Sequence, residues 1–239
     1  MRSAWNGVIA EVVGTFLFFF VGIGAIGALH VVNAGKAIDP AADLVVAALA
    51  HGIALAVLVS ALGAVSGAHF NPAVTFAVWV SGNIPSRRAL AYVLAQLIGG
   101  ILAALAVRAV FPGDLFPSLG IPALWSGIGQ IGGILVEAVL TVVLVIAVFG
   151  TAIDPRAPKV GGLAIGFAVA ADILMGGLIT GAAMNPARWF GPAAVTMNWD
   201  NFSVWIIGPL LGAGAAALLY RYVFLPEVDL LRTPADPTA

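Results

Sequence analysis

The chain has 239 residues, of which 62% are hydrophobic and only 9% charged, and its mean hydropathy is +1.09. Soluble domains carry about 25% charged residues, so this composition indicates an integral membrane protein. The net charge of −1 gives no argument for a nucleic-acid partner, so none is expected, and the absence of cysteine excludes disulfides and thiol chemistry.

Six apolar stretches are long enough to cross a bilayer, which requires ~20 mostly apolar residues. The first begins soon after Trp5 and is too long for the core of a signal peptide, so we expect a transmembrane helix there. The termini are too short to form a further domain, which predicts a single transmembrane domain over residues 1–239. The expected spans are roughly 6–30, 43–64, 88–110, 130–150, 160–179 and 203–224.

A short phrase, Asn-Pro-Ala, occurs twice in apolar surroundings. Each copy is followed by an apolar run too short to cross the membrane, 73–80 and 187–197, which is typical of a re-entrant segment. Backbone that enters a membrane without crossing it must be covered by protein or line a wet cavity. The residues of the two copies are Asn71, Pro72, Ala73, Asn185, Pro186 and Ala187.

The two halves of the chain present the same features in the same order. Glu11 and Thr15 in the first span match Glu137 and Thr141 in the fourth, and each half then contains a phrase and a Gly-rich span. Three spans per half insert the halves in opposite orientations, which predicts an inverted repeat. The repeats cover about 6–110 and 130–224.

Basic residues predict the orientation, because Lys and Arg are enriched in cytoplasmic loops. With six spans, seven of these residues fall on one side and two on the other, while Arg188 lies within the membrane region. We therefore expect both termini in the cytoplasm. The first group is Arg2, Arg87, Arg88, Arg156, Lys159, Arg221 and Arg232, and the second is Lys36 and Arg108.

The phrase itself predicts a helix start. Asn is a preferred N-cap residue and Pro suits the first helical position. In an inverted pair the two helix N-termini meet near the bilayer middle, each carrying about half a positive charge. The side-chain oxygens of Asn71 and Asn185 would cap these helices and leave the NH₂ groups free as donors. Such a waist favours a small neutral molecule with an acceptor oxygen and disfavours a cation.

The segments 66–75 (SGAHFNPAVT) and 181–188 (GAAMNPAR) resemble the double signature of the aquaporin, or major intrinsic protein, family. The resemblance covers the chain from Glu11 to about Tyr220. It implies an all-α membrane fold with six transmembrane helices and two re-entrant half-helices, and one pore per subunit of a homotetramer surrounded by lipid. A passive channel of this type implies no enzyme activity, catalytic residue, metal or cofactor.

The resemblance also implies a selectivity filter, whose four positions fall on His51, Ile173, Ala182 and Arg188 when counted from the two Asn residues. This set is similar to that of the plant tonoplast intrinsic proteins. It implies a water channel that excludes ions and protons, with a pore somewhat wider than the strict water type, and we hypothesise that ammonia or other small neutral solutes also pass.

Two other transport functions remain as alternatives. A glycerol or small-polyol facilitator of the family carries Asp directly after its second Asn-Pro-Ala-Arg, whereas Trp189 stands there in this chain and also departs from the small residue of water members. An ion-coupled secondary transporter also uses inverted repeats and broken helices, but acids for ion coupling are missing beside both phrases. An intramembrane enzyme and a non-conducting adhesive tetramer are less favoured.

The resemblance assigns Glu11 and Glu137 to bracing the re-entrant loops, and gives His69 either a place in the inner vestibule or a role in bracing the first loop. A lumen-facing His51 would allow gating of flux near pH 6–7, because an unperturbed His titrates at ~6.5.

Asp172 stands where the tonoplast proteins usually carry Asn, and a buried acid requires hydrogen bonds or neutralisation. Two interpretations stay open: a bond to the second re-entrant loop, or pairing with Arg188 or His51 that tunes the filter. Short termini without a plant-type extension favour a prokaryotic plasma (inner) membrane, with a vacuolar membrane as the alternative.

Overall fold

The computed structural model describes residues 4–34, 39–111, 113–158 and 160–225. These ranges contain eight α-helices and two π-helical turns, Phe149–Ile153 and Tyr220–Phe224, that extend the fifth and the eighth helix. The α-helices are α1 Ala4–Val32, α2 Pro40–Ser66, α3 Pro72–Val80, α4 Ser86–Val110, α5 Gln130–Val148, α6 Leu163–Gly176, α7 Pro186–Thr196 and α8 Phe202–Leu219.

Five helices are long and apolar enough to cross a membrane: α1, α2, α4, and α5 and α8 with their π-helical turns. The fifth predicted span, 160–179, is too long, because the helix found there, α6, contains only 14 residues. Just before α6, Gly161 has a left-handed conformation (φ +61°). At the end of α6, the amides of Ile179 and Thr180 both donate to the carbonyl of Gly176, which turns the chain. A helix of this length rises about 21 Å.

The two re-entrant half-helices are confirmed as α3 and α7. Asn71 and Asn185 precede them in extended conformation, and each side-chain oxygen accepts a hydrogen bond from the amide two residues later, at 2.8 and 3.0 Å. Pro occupies the first helical position in both. Local capping chemistry thus starts both helices, as the sequence predicts.

The half-helices pack on long helices of the opposite half, α3 on α8 and α7 on α4, while α1 packs on α4, α5 on α8 and α2 on α6. The α4–α7 contact requires glycine, because a Cβ on Gly191 would lie 2.3 Å from the carbonyl oxygen of Gly100. The outward faces are apolar. Along α1 the residues Ile9, Val13 and Leu17 are exposed on one face, as expected for contact with lipid.

Basic residues collect at one face of the helix bundle. Arg221, in the π-helical turn after α8, donates to the carbonyl of Ser81 (3.0 Å) in the segment between α3 and α4, and Arg156 donates to the carbonyl of Phe224 (2.9 Å). Arg108 lies at the opposite end of α4. Four residues used to predict the orientation, Arg2, Lys36, Lys159 and Arg232, lie outside the described residues.

Candidate functional site

The first re-entrant loop is held by Glu11, whose side chain is fully buried. Its Oε1 accepts hydrogen bonds from the Ser66 hydroxyl (2.6 Å) and the His69 amide (3.0 Å). Its Oε2 accepts from the Phe70 amide (2.7 Å) and from the Gln96 side chain (2.8 Å). Four donors therefore converge on one carboxylate, which compensates it for the loss of water.

Glu137 holds the second loop in a corresponding way. Its Oε1 accepts from the Thr180 hydroxyl (2.7 Å) and the Ala183 amide (2.9 Å), and its Oε2 accepts from the Met184 amide (2.7 Å). These donors stand in the same order before Asn185 as the donors to Glu11 stand before Asn71. The geometry is what the predicted bracing role requires.

The bracing acts on strained backbone. Ala68 and Phe70 in the first loop, and Ala182 and Met184 in the second, have left-handed φ values of 42–51°. This conformation costs a residue with a side chain roughly 1–2 kcal/mol. It persists because the carboxylates bind the amides of these segments, and it turns the carbonyls of Phe70 and Met184 toward the opposite Asn.

The two loops meet through a reciprocal pair of hydrogen bonds. Nδ2 of Asn71 donates to the carbonyl of Met184, and Nδ2 of Asn185 donates to the carbonyl of Phe70, both at 2.9 Å. The expectation of wholly free amide groups is thus corrected. One N–H of each amide holds the opposite loop, and the second N–H remains as a donor.

Arg188, three residues after Asn185, lies in direct contact with His51. The Nδ1 atom of His51 is 2.8 Å from the carbonyl oxygen of Ala47, which assigns the ring proton to Nδ1, and Nε2 then accepts a hydrogen bond from Nε of Arg188 (3.1 Å). Nη1 of Arg188 donates to the carbonyl of Gly120 (2.8 Å). Because Nε2 is an acceptor in this bond, His51 is neutral here, and the hypothesis of a His51 gate gains no support.

Ile173 and Ala182, the other two predicted filter residues, line the same cavity as His51 and Arg188. This cavity has a volume of about 390 Å³ and extends from Asp43, at the start of α2, to Ala152, in the π-helical turn after α5. Both Asn residues of the waist also line it. The structure therefore brings the four predicted filter positions and both Asn residues to the wall of one cavity, and that wall is mainly apolar.

His69 lies both at the cavity wall and beside the residues that hold the first loop. The ring lines the cavity, while Nδ1 lies 3.0 Å from the hydroxyl of Thr75 and the ring packs edge-on against Tyr92. Thr75 also accepts a hydrogen bond from Gln96, a donor to Glu11. His69 is thus tied to the bracing network and still borders the passage.

Among the described residues, Asp172 forms neither of the contacts proposed for it. The side chain is 3% exposed, and its Oδ2 has no hydrogen-bond partner within the part of the chain that the structure describes. Arg188 and His51 bind each other instead. Asp172 directly precedes the filter residue Ile173, and a helix turns by 100° per residue, so Asp172 falls beside the cavity wall and does not line it.

Sequence reasoning missed two glycines that shape the surroundings of His51 and Arg188. A Cβ on Gly22 would lie 2.4 Å from the His51 ring, and Gly120 supplies the carbonyl that binds Arg188. Glycine is common throughout this chain, so neither position stands out in the sequence. Trp189, the residue that fits neither subtype, stacks on Trp205 at 5.9 Å, behind the filter.

The comparisons with known proteins agree with this geometry. The family model described as Major intrinsic protein matches residues 1–220. Aquaporin TIP1-2 of Zea mays is 43% identical over 237 residues, covering 97% of this chain and 92% of that protein. Probable aquaporin TIP3-2 of Arabidopsis thaliana is 45% identical over 231 residues, covering 94% and 85%.

A solved structure supports the fold. The aquaglyceroporin from Plasmodium falciparum matches with a TM-score of 0.80 at 24% identity, covering 95% of this chain and all of that one. At this identity the likeness concerns the fold alone. The family match and the two relatives above 40% identity show that the chain belongs to the major intrinsic protein, or aquaporin, family.

Proposed function

We propose that this protein is a passive water channel whose selectivity filter consists of His51, Ile173, Ala182 and Arg188. One observation carries the proposal: a continuous cavity is lined by the filter residues and by both Asn residues of the waist. A water molecule at the waist accepts from the remaining N–H groups of Asn71 and Asn185. Its own hydrogens then point away from the waist, which interrupts the chain of hydrogen bonds that proton transfer requires.

Cations are opposed by charge and by poor solvation. Arg188 carries a full positive charge, and the N-termini of α3 and α7 add about half a charge each. A monovalent cation ~6 Å from a guanidinium is repelled by about 3 kcal/mol at an effective dielectric constant of ~20. Asp43 is the one acidic residue among the described residues that line the cavity, and it lies at its end.

Ammonia is the second solute that we propose. It is neutral and offers an acceptor lone pair to the Asn donors, as water does. Ile173 and Ala182 make the filter wall partly apolar and leave the opening of the filter wide. The Nε2 atom of His51 already accepts a hydrogen bond from Arg188. A glycerol facilitator is the weaker alternative, because Trp189 is held in an aromatic stack where glycerol channels carry Asp.

An ion-coupled transporter is less favoured still. Transporters usually carry acidic side chains for ion coupling at their broken helices. Glu11 and Glu137 are the acids nearest to the two loops, and the loops' own donors occupy both of their carboxylates.

Assembly and location are the remaining parts of the proposal. We propose a homotetramer with one pore per subunit, in keeping with the family. The expected plasma membrane finds no support in the relatives, whose names carry the designation TIP. That group is named for the tonoplast, so a vacuolar-type membrane becomes the better proposal.

Flux measurements on proteoliposomes test the function. Stopped-flow light scattering measures water and glycerol, and an internal pH dye measures ammonia entry. We expect fast water flux, measurable ammonia flux and little glycerol flux, with glycerol and cation flux rising in Arg188→Ala. Water flux no faster than in empty liposomes would refute the channel, and water flux without ammonia flux would refute only the second solute.

A further inference from the structure

The orientation of the filter arginine depends on a loop outside the filter. Nη1 of Arg188 donates to the carbonyl of Gly120, which belongs to the segment that joins α4 to α5. Leu119 and Gly120 both have left-handed φ values, +50° and +60°. For Leu119 this conformation is strained and requires restraint from its surroundings.

Arg108 supplies such a restraint. It lies in the last turn of α4, and its guanidinium donates to two consecutive carbonyls of the loop, Phe116 through Nη1 and Pro117 through Nη2, both at 3.0 Å. The planar fork of an arginine suits this two-point contact, which one lysine ammonium cannot reproduce at both oxygens with the same geometry.

The turn that Arg108 holds leads directly to the carbonyl that binds Arg188. The carbonyl of Phe116 also accepts the amide of Leu119 (3.3 Å), which closes the turn before Gly120. Phe116 and Leu119 are both fully buried, so the turn is packed against the helices. A side chain at Gly120 would lie 3.3 Å from Phe116 and 3.9 Å from Nη2 of Arg188. A shift of this turn therefore moves the acceptor of Arg188.

We propose that Arg108 is a positioning residue of the selectivity filter: by holding the carbonyls of Phe116 and Pro117, it presents the carbonyl of Gly120 to Arg188. The inference rests on the proposed channel function. It gives this outer cation a role in selectivity in addition to its place at the end of a membrane helix. Without Arg108 the turn relaxes, and Arg188 keeps His51 as its one remaining partner in the filter.

A double-mutant cycle tests the proposal. The glycerol-to-water permeability ratio is measured in proteoliposomes for the wild type, Arg108→Gln, Arg188→Val and the double variant. We expect Arg108→Gln to raise the ratio roughly 3–10-fold, the effect of weakening one hydrogen bond to a charged group. In the Arg188→Val background the same change leaves the ratio unaltered. Arg87→Gln, which removes an exposed cation at the other end of α4, is the matched control and leaves the ratio unchanged.

The outcomes separate the possibilities. An unchanged ratio in Arg108→Gln overturns the proposal, and so does an equal rise in both backgrounds, which would indicate that the loop acts on the pore without Arg188. Should Arg108→Gln fail to fold, Arg108→Lys takes its place in the same cycle, with a smaller expected rise. Failure of the proposed function is recognised separately, because the wild type would then lack water flux.

Discussion

Replacing Glu137 by Gln is the most direct perturbation of the second re-entrant loop. The two side chains have the same shape, so packing is preserved, but the amide has one acceptor where the carboxylate has two. With its oxygen at the Oε1 position, the amide keeps Thr180 and Ala183, and its NH₂ group faces the Met184 amide across 2.7 Å. If the Gln side-chain amide is rotated by 180°, its NH₂ group faces the backbone amide of Ala183 instead. One buried backbone N–H is unpaired in either orientation.

The cost follows from these contacts. An unpaired buried donor costs about 1–3 kcal/mol, and the remaining bonds weaken by about 1 kcal/mol each when the acceptor loses its charge. The neutral amide avoids the desolvation cost of a carboxylate, which offsets part of this loss. We therefore expect the free energy of unfolding to fall by about 2 kcal/mol. The water permeability per channel should fall several-fold, because the Met184 carbonyl holds Asn71 at the waist.

Two assays measure these effects. Thermal unfolding in detergent can be followed by tryptophan fluorescence, since Trp205 donates to the carbonyl of Thr180 in the affected loop. Stopped-flow light scattering, normalised to protein content, gives the permeability. Asp154→Asn makes the same carboxylate-to-amide change outside the membrane-spanning helices and should leave the permeability intact. Wild-type stability together with wild-type flux in Glu137→Gln would refute the bracing argument.

Three further predictions concern the filter and the surface. Gly22→Ala should reduce water permeability several-fold in the stopped-flow assay, because its Cβ would lie 2.4 Å from the His51 ring and push the ring into the passage; unchanged flux would show that the ring has room. Water permeability should be flat from pH 5 to 8, because Nε2 of His51 accepts from Arg188, and a transition near pH 6–7 would contradict this. The hydrogen bond from Arg156 lowers the pKa of Asp154 from 3.8 to about 2, so its stabilising contribution is present above pH ~4 and is lost as the pH falls toward 2. Asp154→Asn should therefore unfold at a lower temperature than the wild type at pH 7, with the gap narrowing below pH 4; a gap independent of pH would refute the assignment.

Much of the fold follows from local properties of the sequence. Length and hydropathy identify the long helices, and the Asn-Pro pairs identify the starts of α3 and α7, because capping depends on adjacent residues alone. The end of α6 was not predictable in this way. The apolar run continues past Gly176, and the helix stops because the amides of Ile179 and Thr180 turn back onto its carbonyl.

Some parts of the candidate site were likewise predictable from the sequence, and others were not. The residues of the waist and the two bracing acids can be found from the internal repeat, since each has a counterpart in the other half. The contacts of Arg188 have no such signal. Arg188 bonds to His51 and to the carbonyl of Gly120, which are both far away in the chain. Every residue type has a backbone carbonyl, so the sequence does not indicate which carbonyl accepts from Arg188. Asp172 shows the converse: it is an unusual residue beside the predicted filter, yet among the described residues it bonds to neither Arg188 nor His51.

The reciprocal hydrogen bonds at the waist have a consequence for biosynthesis. The Phe70 carbonyl and the Asn71 amide bind Asn185 and Met184, which are made much later, roughly 5–25 s at ~5–20 residues per second. Until then the first loop holds polar groups at membrane depth without their final partners, a costly state in lipid. A chain that stops before residue 185 cannot leave that state. The waist of the pore therefore forms only after the second asparagine has been synthesised.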